Sequence, residues 1–472
     1  MNYFRNFKGI IMKPSFRRKP AMALATIVTG LLLFTVAVPQ SSVDEKRVRA
    51  HMEFLASDDM QGRGSGTKYE KLAGLYLASQ MKQFGIAPGG DKDGIGLGAY
   101  IQTVEIERTR IGKTTLDLGP EKSISLTGLR IGNTSLEGPL KRISIDETAE
   151  AGSITIVTTL DGTIPREAFP SLFGSPAKAL ILIAPPALMQ QLSGFARRAS
   201  SMTRIKGTGE GESASLYLVA EEKAGLLDSI PVGSIVNILS EITESTTSNT
   251  WNSVGKIEGS GGSGEAILLS AHMDHVGVRE NAPGDDKIFN GADDDASGCV
   301  AVLELARILA AGPRPKRTVY FAFFGSEEAG GFGSRYFVGT FDRPLEKLVA
   351  NLQFEMLGRP DAKVGKDELW LTGYERSDLG SELARNGAKL VADPHPEENF
   401  FERSDNITLA RRGVVAHTVS SYGLHTDYHQ ASDEISTMDF PYMTNAIDSI
   451  VKPVIWLVNT DWKPAWKEGM KP

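Results

Sequence analysis

The chain of 472 residues has a single cysteine, Cys299. No disulfide can form within it, and no cysteine stands near the N-terminus to carry a lipid. A lone cysteine in an apolar stretch reads as packing rather than as a nucleophile. Histidine is also scarce. There are seven, and none lies between His51 and His272. That interval therefore lacks the commonest zinc ligand. The glycine-rich run Gly259-Ser260-Gly261-Gly262-Ser263-Gly264 lacks the Lys-Ser/Thr of a phosphate loop and sits between two strand-like segments. It reads as a hairpin connection rather than a nucleotide site. Acidic residues are absent from positions 1–37, which carry six basic ones, although the whole chain has a net charge of -7. The remainder is thus the more acidic part, which argues against nucleic acid as a partner. There is no internal repeat and no long low-complexity tract.

What is present is ordinary in bulk. At 41% hydrophobic and 23% charged residues, the composition is that of a globular protein, long enough for two or three domains. Arg5, Lys8, Lys13, Arg17, Arg18 and Lys19 precede an apolar run from Ala21 to Val38. A basic segment followed by an apolar core reads as an export signal, with Thr35-Val36-Ala37 as a small-residue cleavage site. The run is also long enough for an uncleaved membrane anchor, the competing reading. Both readings place the body outside the cytoplasm, periplasmic or secreted, or anchored and facing outward.

Val48–Ser57 and Glu70–Gln83 have helical spacing of apolar residues, separated by a glycine-rich loop over 58–66. Tyr100–Ile106 alternates as a strand. Residues 115–245 are rich in Ser, Thr and Gly, with short β-like runs at 154–157, 179–183 and 216–220 and weak helices around 165–172 and 187–199. This block reads as a β-rich insertion, and strand character resumes at Trp251. From Ile267 strands and helices alternate, as in an α/β fold with a mostly parallel sheet. Thr318–Phe324, TVYFAFF, is a continuous apolar run suited to a strand buried on both faces. Pro441–Val458 closes the chain as an amphipathic helix, bent at Pro453.

The stretch Ile267–Ser297 organises the chemistry. An apolar run delivers His272, Asp274 and His275 at its end. After a polar loop come Asp293, Asp294 and Asp295, then an apolar helix. Open α/β sheets bind ligands at the carboxyl edge of their strands. Glu327 and Glu328 follow the next strand, Glu355 ends another, and His429 lies in a loop after a further one. His272, Asp294, Glu328, Glu355 and His429 are donors suited to zinc. Five donors exceed one tetrahedral site and suit two cations sharing a carboxylate. The Asp293–Asp295 cluster supplies the natural bridge. Asp274, two residues beyond His272, is on the same face of an extended segment and can orient its ring. Of the adjacent acids, Glu328 can ligate while Glu327 serves as general base. For His275 and His425, hydrogen bonding around the site is preferred over ligation.

The motifs SAHMDHVG, GADDDASG, FFGSEEAG, FEMLGR and DYHQASDE, in this order, resemble those of the secreted dizinc aminopeptidases, a family that also includes glutamate carboxypeptidase-like and glutaminyl-cyclase-like members. The resemblance runs from about residue 45 to 460. It implies a three-layer α/β sandwich whose mixed, mostly parallel sheet is flanked by helices. The catalytic domain would be split into 45–114 and 246–460. The 115–245 block is similar to the protease-associated domain inserted in many of these enzymes.

By resemblance, one Zn2+ is held by His272 and Glu355, the other by Glu328 and His429, and Asp294 bridges them. A cis peptide is expected at Asp294–Asp295. Tyr428 matches a residue that stabilises the oxyanion in some members. Arg403-Ser404-Asp405 resembles a substrate-side motif, with Asn406 and Ile407 departing from it. The implied activity is that of an exopeptidase releasing N-terminal residues from peptides, through a hydroxide bound at the dizinc centre and deprotonated by Glu327. Glu327 and Glu355 would face the substrate's α-amine, and Arg403 would contact the substrate. Two other readings remain at this point. One is a carboxypeptidase or dipeptidase, for whose carboxylate clamp Arg403 and Arg359 are the only obvious candidates. The other is a non-catalytic peptide-binding protein on the same scaffold.

Overall fold

The computed structural model describes residues 43–472, apart from 120–121, 160–161, 166–167 and 208–213. The export segment expected at 1–37 lies outside the described residues. Among the described residues no helix is long and apolar enough to cross a membrane.

Four parallel strands form the centre of the molecule, side by side in the order Val415–Ser420, Leu348–Phe354, Ala266–His272 and Thr318–Phe324. All seven residues of Thr318–Phe324 are buried, as the unbroken apolar run predicts. Alternate side chains point to opposite faces. Ile267, Leu269, Ala271, Val319, Phe321 and Phe323 pack in one cluster with the helices Glu45–Leu55, Lys68–Gln83, Gly298–Ala311 and Phe440–Asn459. Leu268, Tyr320, Ala322 and Phe324 pack on the other face, against Phe337 and Val338 of the helix Phe332–Gly339. The result is a mixed, mostly parallel sheet between two layers of helices.

The chain order creates a crevice. From Ala266–His272 the chain passes through the helix Gly298–Ala311 to Thr318–Phe324 on one side. It then returns through Phe332–Gly339 to Leu348–Phe354 on the other side. The carboxyl end of Ala266–His272 is therefore a topological switch point. Register brings the strand ends level, with His272 opposite Phe324 and Ser270 opposite Gln353. Residues just beyond 272, 324 and 354 emerge together.

Two strands are longer than the sequence pattern predicts. Ile101–Asp117 continues well past Ile106, and Ile235–Ile257 begins long before Trp251. They pair antiparallel over most of their length. Residues 241–248 of the second strand are exposed and, apart from Ile242, polar, so no apolar alternation marks them. Their Thr and Ser content and the partner strand hold them extended. Residue 115 and residue 245 both fall inside these strands. The β-rich block has its own apolar clusters, one around Ile124, Leu140, Ile156, Ile181 and Tyr217, the other around Val157, Leu180, Leu182 and Leu218. Short helices occur at Phe169–Phe173, Pro186–Gln191 and Ser193–Ala199, close to the segments expected.

Candidate metal centre

Every acidic and imidazole donor predicted from the sequence reaches the switch point. His272 is the last residue of its strand and is buried. Its Nε2 lies 3.0 Å from Oδ1 of Asp294. The other carboxylate oxygen of Asp294, Oδ2, lies 3.2 Å from Nε2 of His429. Oε1 of Glu328 is 3.0 Å from the same His429 nitrogen. Two donor groups result, both containing Asp294: His272, Asp294 and Glu355, and His275, Asp294, Glu328 and His429. Within each group the donor atoms lie within 4.8 Å of one another.

The three successive aspartates have three different tasks. Asp293 accepts from the backbone N–H of Gly358 at 2.8 Å and has His425 Nε2 3.0 Å from its other oxygen. Asp294 faces the donor groups. Asp295 accepts from the backbone N–H groups of His272, Gly298 and Met356 at 3.1, 3.0 and 3.2 Å, so it ties two strand ends to the helix. The peptide between Asp294 and Asp295 is cis, as the resemblance implies. Gly291, with φ of 59°, opens the segment, and a Cβ there would lie 2.2 Å from the Asp294 carbonyl and 2.5 Å from the His275 ring. No side chain could replace it without moving the site.

Asp274 is fully buried. Its carboxylate accepts from the Ser65 hydroxyl at 2.5 Å and from the Glu327 N–H at 3.0 Å. The orienting contact to His272 differs from the one expected. Nδ1 of His272 is 3.2 Å from the backbone carbonyl of Asp274, while the Asp274 carboxylate stands 3.9 Å away. In the extended segment the carbonyl is simply the nearer acceptor. His425 pairs with Asp293 and Arg359, as expected of a hydrogen-bonding residue. His275 instead lies within the second donor group.

Burial pushes the carboxyl of Glu327 well above the ordinary glutamate range, opposed by His272 and reinforced by Glu355 and Asp405. Asp405 is itself pushed up to about 7 by burial. Glu355 accepts from the Ser404 hydroxyl. Tyr428 stacks on His429 with ring centroids 4.0 Å apart. A pocket opens beside Glu355, lined by Met356, Trp370, Phe400, Arg403, Tyr422 and Tyr428 among others.

Several supporting residues escaped the sequence reading. Arg63 is buried and donates to the backbone carbonyls of Leu55, Met273, Asn290 and Gly291. Asp433 accepts from the N–H groups of Asp293 and Asp294 at 3.0 and 3.1 Å. Glu70 accepts from Thr250 and from the N–H of Ser326. For Arg63 the signal was an arginine set between glycines at 62 and 64. Asp433 lay within the DYHQASDE motif with no role assigned to it, and nothing local distinguished Glu70 from a surface acid.

The fold and site together define an α/β protein with imidazole and carboxylate groups that could hold a metal gathered at the switch point of its sheet. Residues 252–453 match the model of Peptidase family M28. It is 31% identical over 202 residues to the probable leucine aminopeptidase 2 of Trichophyton verrucosum (strain HKI 0517), covering 41% of this chain and 37% of that protein. It is 34% identical over 122 residues to the probable lipoprotein aminopeptidase LpqL of Mycobacterium tuberculosis (strain ATCC 25618 / H37Rv), covering 26% of this chain and 22% of that protein. The matched part is thus well under half the length of either relative. Among solved structures, the aminopeptidase from Aneurinibacillus sp. strain AM-1 superposes with a TM-score of 0.48 at 16% identity, over 91% of this chain and 96% of that one.

Proposed function

We propose that this chain is a zinc-dependent aminopeptidase that releases N-terminal residues from peptides and holds two zinc ions. One observation carries the reading: the two oxygens of Asp294 face two different imidazoles, His272 at 3.0 Å and His429 at 3.2 Å. A carboxylate so disposed suits a bridge between neighbouring cations. His272 and Glu355 complete one set of donors, and Glu328 and His429 belong to the other. Nitrogen and carboxylate donors of this kind suit zinc, and buried acids in such numbers are otherwise costly to hold together. When bound, two zinc ions supply an acidified water and a polarised carbonyl.

The chain's own residues supply the rest. Glu327 is buried and its raised proton affinity suits both taking a proton near neutral pH and returning it to a leaving amine. Asp274 fixes the Glu327 backbone. Glu327 and Glu355 attract a cationic α-amine, and the aromatic pocket beside Glu355 suits an apolar first side chain. The name leucine aminopeptidase borne by the fungal relative fits this preference. Tyr428, stacked on His429, is the candidate oxyanion donor, and Arg403 lines the same pocket.

Recognition of a C-terminal carboxylate has less support. Arg359 is engaged by Asp427 at 2.7 Å and by His425, and Arg403 pairs with Glu398 at 3.2 Å. A non-catalytic role is disfavoured because neither a donor nor the base is missing. We further propose that residues 115–245 form a protease-associated insertion between catalytic parts at 45–114 and 246–460, and that the protein works in the periplasm or outside the cell. Elemental analysis and chelation test the central reading. Two zinc ions per chain, and an activity lost to a chelator and restored by zinc, are expected. A metal-free protein with undiminished peptidase activity would overturn it.

A further inference from the structure

The second donor group contains one side chain more than two shared cations require. His275 follows directly on the His272-Met273-Asp274 segment and is held there by its N–H, which donates to the Arg63 carbonyl at 3.2 Å. Its ring is buried. Nδ1 lies 3.0 Å from Oε1 of Glu328 and 3.7 Å from Oδ2 of Asp294. His429 Nε2 faces the same two oxygens at 3.0 and 3.2 Å. Neither ring nitrogen of His275 is in hydrogen-bond geometry with any group among the described residues. Two imidazole nitrogens and two carboxylate oxygens thus surround one point.

The spacing has a definite meaning. Four donors at about 2.0–2.2 Å from a tetrahedral zinc stand roughly 3.3–3.6 Å from one another. The four distances just given, 3.0 to 3.7 Å, bracket that edge length. Among the described residues the other group offers His272, Asp294 and Glu355. The two halves of the centre are therefore unequal. Structural zinc sites are closed by four protein donors, and catalytic sites keep a position open.

We propose that His275 is a fourth protein donor to the cation that Asp294, Glu328 and His429 would hold. The inference rests on the metal-centre reading above.

The test combines zinc titration of the full chain, visible absorption of the cobalt-loaded protein, and a crystal structure of the zinc-loaded wild type. Wild type should take up two zinc ions of unequal affinity. His275→Ala should weaken the tighter one at least tenfold and reduce the intense absorption of four-coordinate cobalt. His275→Gln, which keeps a hydrogen-bonding group but ligates poorly, should behave like His275→Ala. If His275→Gln retains wild-type zinc affinity and cobalt spectrum, the proposal is overturned. The wild-type crystal decides even where the variants do not fold: zinc within bonding distance of Nδ1 supports it. Two zinc ions with His275 bonded to neither overturn it alone, whereas a wild type that binds no zinc overturns it together with the metal centre.

Discussion

Arg63 donates through Nε to the backbone carbonyl of Met273 over 2.9 Å, between His272 and Asp274 in the chain. Its other nitrogens reach the carbonyls of Leu55, Asn290 and Gly291 at 2.6, 2.7 and 2.8 Å. One buried guanidinium thus joins the first helix, the imidazole segment and the turn leading to Asp294. A lysine offers a point charge with three donors and cannot reproduce the planar fork. Arg63→Lys should lower the free energy of unfolding by about 3 kcal/mol, since it strands buried carbonyls. Denaturant melts check this, and an unchanged midpoint would show that the fork is dispensable.

Asp433 acts on Asp294, the proposed bridge, from behind. It accepts from two successive N–H groups, those of Asp293 and Asp294, and so fixes the backbone that presents the Asp294 carboxylate. Groups that orient ligands in this way are worth about 10–100-fold in metal affinity. Asp433→Ala should weaken zinc binding by that factor, measured by competition with a chromophoric chelator. Unaltered affinity would count against the orienting role.

Glu327 is proposed to move protons without holding metal. Glu327→Gln keeps the shape and removes the base. Zinc content should remain that of wild type, while kcat falls about 10²–10⁴-fold. A fully active variant would assign the base to another residue.

His417 gives the protein an acid-side weakness unrelated to the metal centre. It lies on the strand Val415–Ser420, with Nε2 2.7 Å from the Ser377 hydroxyl and Nδ1 2.7 Å from the Thr372 carbonyl. Burial pushes its imidazole down to about 4 from an ordinary 6.5. Between those values the unfolded chain binds a proton that the folded chain does not. Stability from this group is complete above pH 6.5 and declines as pH falls toward 4, by about 3 kcal/mol in total. Replacing His417 with Gln should flatten the fall in unfolding free energy between pH 7 and pH 4.5. A slope identical to wild type would contradict the assignment.

Much of this was written in local sequence pattern. The apolar run TVYFAFF could hardly be other than a buried strand, and polar donors just beyond such runs mark a sheet edge. The pattern failed where tertiary pairing, rather than burial, sets the structure. The exposed stretch 241–248 is extended because Ile101–Asp117 lies beside it. The task of each aspartate in 293–295 depends on contacts with residues 272, 356, 358 and 425, all remote in the chain. The place of position 275 was hidden for a similar reason. Its ring lies beside Glu328 through contacts with the loop over 58–66 and with Gly291, which are remote in the chain.

The most direct test of the account compares a leucyl anilide with its N-acetylated counterpart and with N-blocked peptides, each with zinc and after chelation. The proposed aminopeptidase cleaves the free-amine anilide, leaves the acetylated one intact, and loses activity with its metal. Release of C-terminal residues from blocked peptides, with the free-amine anilide untouched, would contradict it.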